Sequence, residues 1–132
     1  MSEVWIVPPL KTKDASVNLA VVPAFSLAAT VLKTAYAMYG AQCVVTSGKD
    51  GKHSAKSAHY QGKAMDLRIS NLPPSLDRME FAFRLSLALV ECCGPEWYVV
   101  LEKDHLHIEF AKGIPNIKGW KAGKHFYAQE GV

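Results

Sequence analysis

Two segments hold most of the side chains able to do chemistry. The first reads Ser57-Ala58-His59-Tyr60-Gln61-Gly62-Lys63-Ala64-Met65-Asp66, and the second, further along, Asp104-His105-Leu106-His107. Four of the 5 histidines lie in or near them. Two imidazoles and a carboxylate drawn from separate places match a catalytic zinc site, with three protein ligands and an open fourth position. His59, Asp66 and His107 are the candidate ligands for Zn²⁺, and the open position would hold a water whose pKa the ion lowers toward about 7. Hydrolysis then needs a group to take the water's proton and a donor for the carbonyl oxygen. Asp104 is the candidate base, with Glu102 its rival. His53 and His105 are candidate donors, and Glu109 could orient a ligand histidine.

Plainer readings stand beside these. His59 could be a loop residue, Asp66 an ordinary carboxylate at a strand end, and His105 and His107 solvent-facing strand residues. Asp104 and Gly62 could simply form turns, Ser57 could cap a loop, and the lysines at 49, 52, 56 and 63 could form a solvated face. The joint reading gains from placing all three ligand types at element ends on one side of the fold.

The elements that must position these residues follow from periodicity. A helix is expected from about Pro23 to Tyr39, with a stripe of Phe25, Ala28, Ala29, Leu32, Ala35, Tyr36 and Tyr39 and a stop at Gly40. Gln42 to Thr46 reads as a short strand, and Ser47 to Gly51 as a loop. Lys63 to Ile69 alternates, sending Met65, Leu67 and Ile69 to the core and Asp66 to the opposite face. A second helix is expected from a Ser75 cap to Cys92 or Cys93, with a stripe of Leu76, Met79, Phe83, Leu87 and Val90 and with Ala82, Leu85 and Leu89 beside it, before Gly94-Pro95 ends it. Trp97–Leu101 and His105–Phe110 read as a hairpin with His105, His107 and Glu109 on one face. Lys11 to Asp14 reads as a solvated loop. Residues 113–132 read as a loose extension or a flap over a groove.

The chain's 132 residues suit one domain, with a core at about 20–112. Its 49% apolar content argues against disorder. A net charge of +3 suits an anionic polymer or surface, while no basic run interleaved with aromatics supports nucleic-acid binding. No apolar stretch is long enough for a membrane span, and no signal peptide is legible at the start. The 3 cysteines, with Cys92 and Cys93 adjacent, form a poor disulfide framework and read as thiols in a reducing compartment. Nothing calls for an oligomer, and a monomer is the simplest expectation.

Ser57-x-His59-x-x-Gly62-x-Ala64-x-Asp66, followed by Asp104-x-x-His107, resembles the signature of the M15 family of zinc peptidases. That family comprises D-Ala-D-Ala carboxypeptidases and dipeptidases and L-Ala-D-Glu endopeptidases, phage endolysins among them, and it shares its metal core with the Hedgehog signalling domain. The resemblance covers about residues 42 to 110. It implies a small α+β domain, an antiparallel sheet with helices on one side, and zinc held by His59, Asp66 and His107. It also implies Asp104 as general base, His105 beside the site, and His53 lining it as in the Hedgehog-like arrangement. Many members carry Ser-Gly-Tyr-Arg where this chain has Ser47-Gly48-Lys49-Asp50, so Lys49 would replace an arginine that holds a substrate carboxylate. Ser57 and Tyr60 are further candidate substrate contacts.

The implied activity is zinc-dependent cleavage of a peptide bond in bacterial peptidoglycan. The enzyme would be made in the cytoplasm and act at the cell wall or periplasm without a separate wall-binding domain. The rival classes are a zinc-bearing recognition module without turnover, a structural virion protein with a relic site, and a nuclease using His-x-His.

Overall fold

The computed structural model describes residues 4–50 and 57–132. The elements run β1 (Lys11–Thr12), α1 (Phe25–Ala37), β2 (Val44–Ser47), β3 (Ala64–Arg68), α2 (Arg78–Cys93), β4 (Trp97–Leu101), β5 (His105–Phe110), β6 (Trp120–Lys121) and β7 (Phe126–Ala128). The seven strands form one sheet in the order β1-β2-β3-β5-β4-β7-β6. Both helices pack on one side of it, giving a small α+β domain.

The centre of the sheet is antiparallel, as expected: β2 with β3, β3 with β5, and β5 with β4. The flanks correct the expectation, because β1 lies parallel to β2 and β7 parallel to β4. The sheet is therefore mixed. Lys11 and Thr12 are paired strand rather than solvated loop. The 113–132 segment is no loose extension: Phe126 and Ala128 are buried, and β7 extends the sheet beyond β4.

Alternation along the central strands sorts the two faces. Met65, Leu67, Val99, Leu101, Leu106 and Ile108 point into the core beneath the helices. α1 contributes Phe25, Ala28, Leu32 and Tyr36 to that core, close to its expected stripe. Its end follows from Gly40, whose φ of 68° lets the Ala41 N–H reach back to the Tyr36 carbonyl at 3.1 Å.

α2 departs from expectation in two respects. Its cap is Asp77, whose carboxylate accepts from the Met79 and Glu80 N–H groups, and not Ser75. Its buried face is Phe81, Ala82, Leu85, Ser86 and Leu89, which leaves Phe83 and Leu87 exposed. Apolar residues surround this helix, so spacing alone does not fix its rotation. The edge-on packing of Tyr36 and Tyr39 against Phe81, with ring centroids at 5.3 and 5.7 Å, favours the observed phase. Among the described residues no helix is long and apolar enough to cross a membrane.

Candidate metal centre

The site lies on the sheet face away from the helices. In the β3–β5 register Asp66 stands directly opposite His107, and Arg68 opposite His105. Directly opposed residues of an antiparallel pair hold their side chains about 5 Å apart on one face. Strand pairing alone therefore brings two of the three candidate ligands together.

The third arrives from a single turn. The Ser57 hydroxyl accepts from the His59 N–H at 3.2 Å, starting the turn. Gly62, at φ 66°, ends it: its N–H reaches the His59 carbonyl, and the Lys63 N–H reaches back to Ala58, each at 3.0 Å. The spacing Ser-x-His-x-x-Gly is thus a capped and terminated turn that sets His59 above the strand. A Cβ on Gly62 would fall 1.5 Å from Cζ3 of Trp5. Gly62→Ala should therefore combine a strained backbone with displacement of that ring. The expected loss is about 2–4 kcal/mol in denaturant unfolding, with weaker metal binding alongside.

His59 Nε2, Asp66 Oδ1 and His107 Nδ1 form a triangle whose three sides are each 3.2 Å. Ligands held tetrahedrally at about 2.0–2.1 Å from zinc are about 3.3–3.4 Å apart, so this triangle fits one face of that tetrahedron. The opposite nitrogen of each histidine is engaged. His59 Nδ1 donates to the Gly48 carbonyl at 2.8 Å, and His107 Nε2 donates to Glu109 Oε1 at 2.8 Å. These contacts fix the tautomers that leave His59 Nε2 and His107 Nδ1 as lone-pair donors. His59 and Asp66 are buried, as is Glu109. The donor set and its spacing fit zinc.

Behind the triangle, His105 is gripped by carboxylates. Its Nε2 lies 2.7 Å from Glu102 and 3.6 Å from Asp66 Oδ2, and its Nδ1 is 2.6 Å from Asp104. Asp66, Glu102 and His105 form a second group of close ligand atoms that shares the Asp66 carboxylate.

These arrangements move the acidities. The Glu102 hydrogen bond, opposed by burial and aided by Asp66 and Asp104, raises His105 to about 9. Burial works against the charged form of His107, but bonds to Asp66 and Glu109 outweigh it and raise this histidine to about 9 too. Burial likewise opposes ionisation of Asp66, yet hydrogen bonds from His107 and His59 hold it below the usual carboxylate range. The bond to His105 lowers Asp104.

A pH dependence follows from the directions. In metal-free protein the two raised histidines stabilise the fold fully below their ordinary 6.5, and lose that contribution as pH climbs through 9. Asp66 contributes in the opposite sense, stabilising above 3.8 and losing effect on acidification below it. The urea midpoint of chelator-treated protein should therefore fall between pH 6.5 and 9. With zinc in excess the His107 share of that fall should vanish, because coordination takes the nitrogen deprotonated.

An open groove of about 940 Å³ surrounds the triangle. Ser57, Glu102, His105 and Glu109 line it along with the three candidate ligands. Asp104 does not line it, and its side chain is 88% exposed with its carboxylate turned onto His105. Lys49 is also outside, its Nζ 4.0 Å over the ring of Trp5. Tyr60 is exposed and lies outside the groove lining. His53 falls outside the described residues.

Sequence reasoning did not find the Gly48 carbonyl that aims His59, because backbone groups carry no sequence signal. Ala111, Lys112 and residues 115–118 form a wall of the groove. No protein-family model and no curated protein matches the chain. The functional reading therefore starts from a buried His/Asp/His cluster able to hold a divalent metal, set in an open groove.

Proposed function

We propose that the protein is a zinc metallopeptidase that hydrolyses a peptide bond in the stem peptides or cross-links of bacterial peptidoglycan. The observation that carries the reading is the 3.2 Å triangle of ligand atoms at the floor of an open groove. The Ser-x-His-x-x-Gly-x-Ala-x-Asp and Asp-x-x-His spacings, which resemble the M15 zinc peptidases, supply the substrate class. The proposed place of action is accordingly the bacterial cell wall.

His59, Asp66 and His107 would hold the ion. The chemistry a bound zinc supplies is Lewis acidity toward a carbonyl and toward water. Water adds to the scissile carbonyl carbon, the C–N bond breaks, and the water's proton ends on the leaving amine. We assign that proton to Asp104, which is ionised and sits at an exposed hairpin tip. There a side-chain rotation from His105 toward the groove is fast, and catalytic contacts are often loose before substrate binds. His105, held by Glu102 at 2.7 Å, would serve as a hydrogen-bond donor toward the reacting carbonyl oxygen.

The outward-facing Asp104 favours one other reading, a zinc-bearing recognition module without turnover. Digestion of purified peptidoglycan by zinc-loaded protein decides between them. Hydrolysis predicts new free amines, with a single bond type cut when the fragments are analysed by mass spectrometry. One zinc per chain with no amine released would leave the module reading.

A further inference from the structure

The groove's two sides differ in charge. Its floor carries the carboxylates of Asp66, Glu102 and Glu109, and each lies within 2.7–3.6 Å of a histidine nitrogen. Lys63, Lys112 and Lys118 also line the groove, and among the described residues none of them takes part in an ion pair. Three lysines thus line a cavity whose own acids are already engaged. Lys49, the candidate substitute for a carboxylate-binding arginine, is packed on Trp5 outside the groove.

The wall that presents two of these lysines is held at both ends. The Tyr98 hydroxyl donates to the Gly113 carbonyl at 3.2 Å, and the Ala111 N–H to the Glu96 carbonyl at 2.8 Å. At the far end Gly119 passes so close to β7 that a Cβ would come within 2.7 Å of the Ala128 carbonyl oxygen. Anchored charges lose less freedom on meeting a ligand than charges on a free tail would.

We propose that Lys63, Lys112 and Lys118 form an anion-selective subsite, so that the groove takes a peptide bearing side-chain or terminal carboxylates beside the segment that lies over the metal triangle. The subsite rests on the groove being the substrate site proposed above, but not on turnover. A ligand carboxylate would lie against the lysine wall, where the exposure of Lys112 and Lys118 leaves the attraction sensitive to salt. Its binding would complete the charge balance that the floor acids, held by histidines, do not supply.

The test is a binding measurement on zinc-loaded protein by fluorescence anisotropy. The probes are a labelled pentapeptide containing two Glu and the same peptide with Gln in their place. The expected result is that the Glu peptide binds about tenfold more tightly and that added salt weakens the preference. Lys63→Gln/Lys112→Gln/Lys118→Gln should bring the two peptides to within about twofold, with zinc content and circular dichroism unchanged. A charge-matched control, Lys13→Gln/Lys121→Gln/Lys124→Gln, alters exposed lysines outside the groove and should keep the preference. Equal binding of both peptides by the wild type, or equal loss in the control, would overturn the subsite. A protein that prefers the Glu peptide yet never cleaves peptidoglycan would sink the peptidase reading and leave this one standing.

Discussion

His107→Ala protein will carry almost no zinc after dialysis against a weak chelator, while the wild type keeps about one ion per chain. Structural zinc sites bind with about 10–16 kcal/mol shared over four ligands, so losing one ligand costs on the order of 3 kcal/mol, or more than a hundredfold in affinity. His107 also stands between Asp66 at 3.2 Å and Glu109 at 2.8 Å, and its loss leaves both carboxylates in a mostly buried place without their shared partner. Metal analysis together with isothermal titration checks the effect. Glu109→Gln is the graded companion. It keeps the size of the group but weakens the hold on His107 Nε2, and a 10–100-fold drop in zinc affinity is expected. If His107→Ala retained full stoichiometric zinc, the triangle would not be the metal centre.

Asp104→Asn, in contrast, should keep its zinc and lose about 10²–10⁴-fold in peptide hydrolysis, the range typical of removing a general acid–base group. Glu102→Gln should cost less, because its role here is to hold His105 Nε2 at 2.7 Å. The rate against pH separates the two, since loss of the base removes the acidic limb of the profile whereas a looser His105 shifts the basic limb. The reverse ranking, with Glu102→Gln the more damaging, would transfer the proton to the acid that already lines the groove. Equal zinc content in both variants is required for either conclusion.

Much of the central architecture is legible in the residues themselves. β3 and β5 alternate between apolar and polar, so their core faces follow from a period of two, whereas β4 is apolar throughout and takes its facing from its pairing with β5. The same alternation places Asp66 and His107 away from the core, and the Ser57-to-Gly62 spacing suggests the turn that carries His59. What stays hidden depends on partners distant in sequence. Asp77 outcompetes Ser75 because its carboxylate meets two N–H groups at 2.9 and 3.4 Å, and spacing alone ranks the two residues equally. The rotation of α2 depends on tyrosines of α1. Two-residue strands such as β1 and β6 have no period to read. The parallel pairing of β7 with β4 joins segments 27 residues apart, Val99 opposite Phe126, and a three-residue strand carries no signal of its direction. Which nitrogen of each histidine is left free toward the triangle depends on Gly48 and Glu109, one a backbone carbonyl and the other two residues beyond the histidine it holds.

The opposition of Asp66 and His107 across β3 and β5 has a consequence for folding quality. Sliding β5 by one residue would set Leu106 or Ile108 against Asp66 and drive His107 into the oily interior. The mispaired chain could then grip no ion with both groups. Zinc would thereby act as a proofreader of strand alignment, rewarding only the molecules whose central ladder has closed in its proper frame.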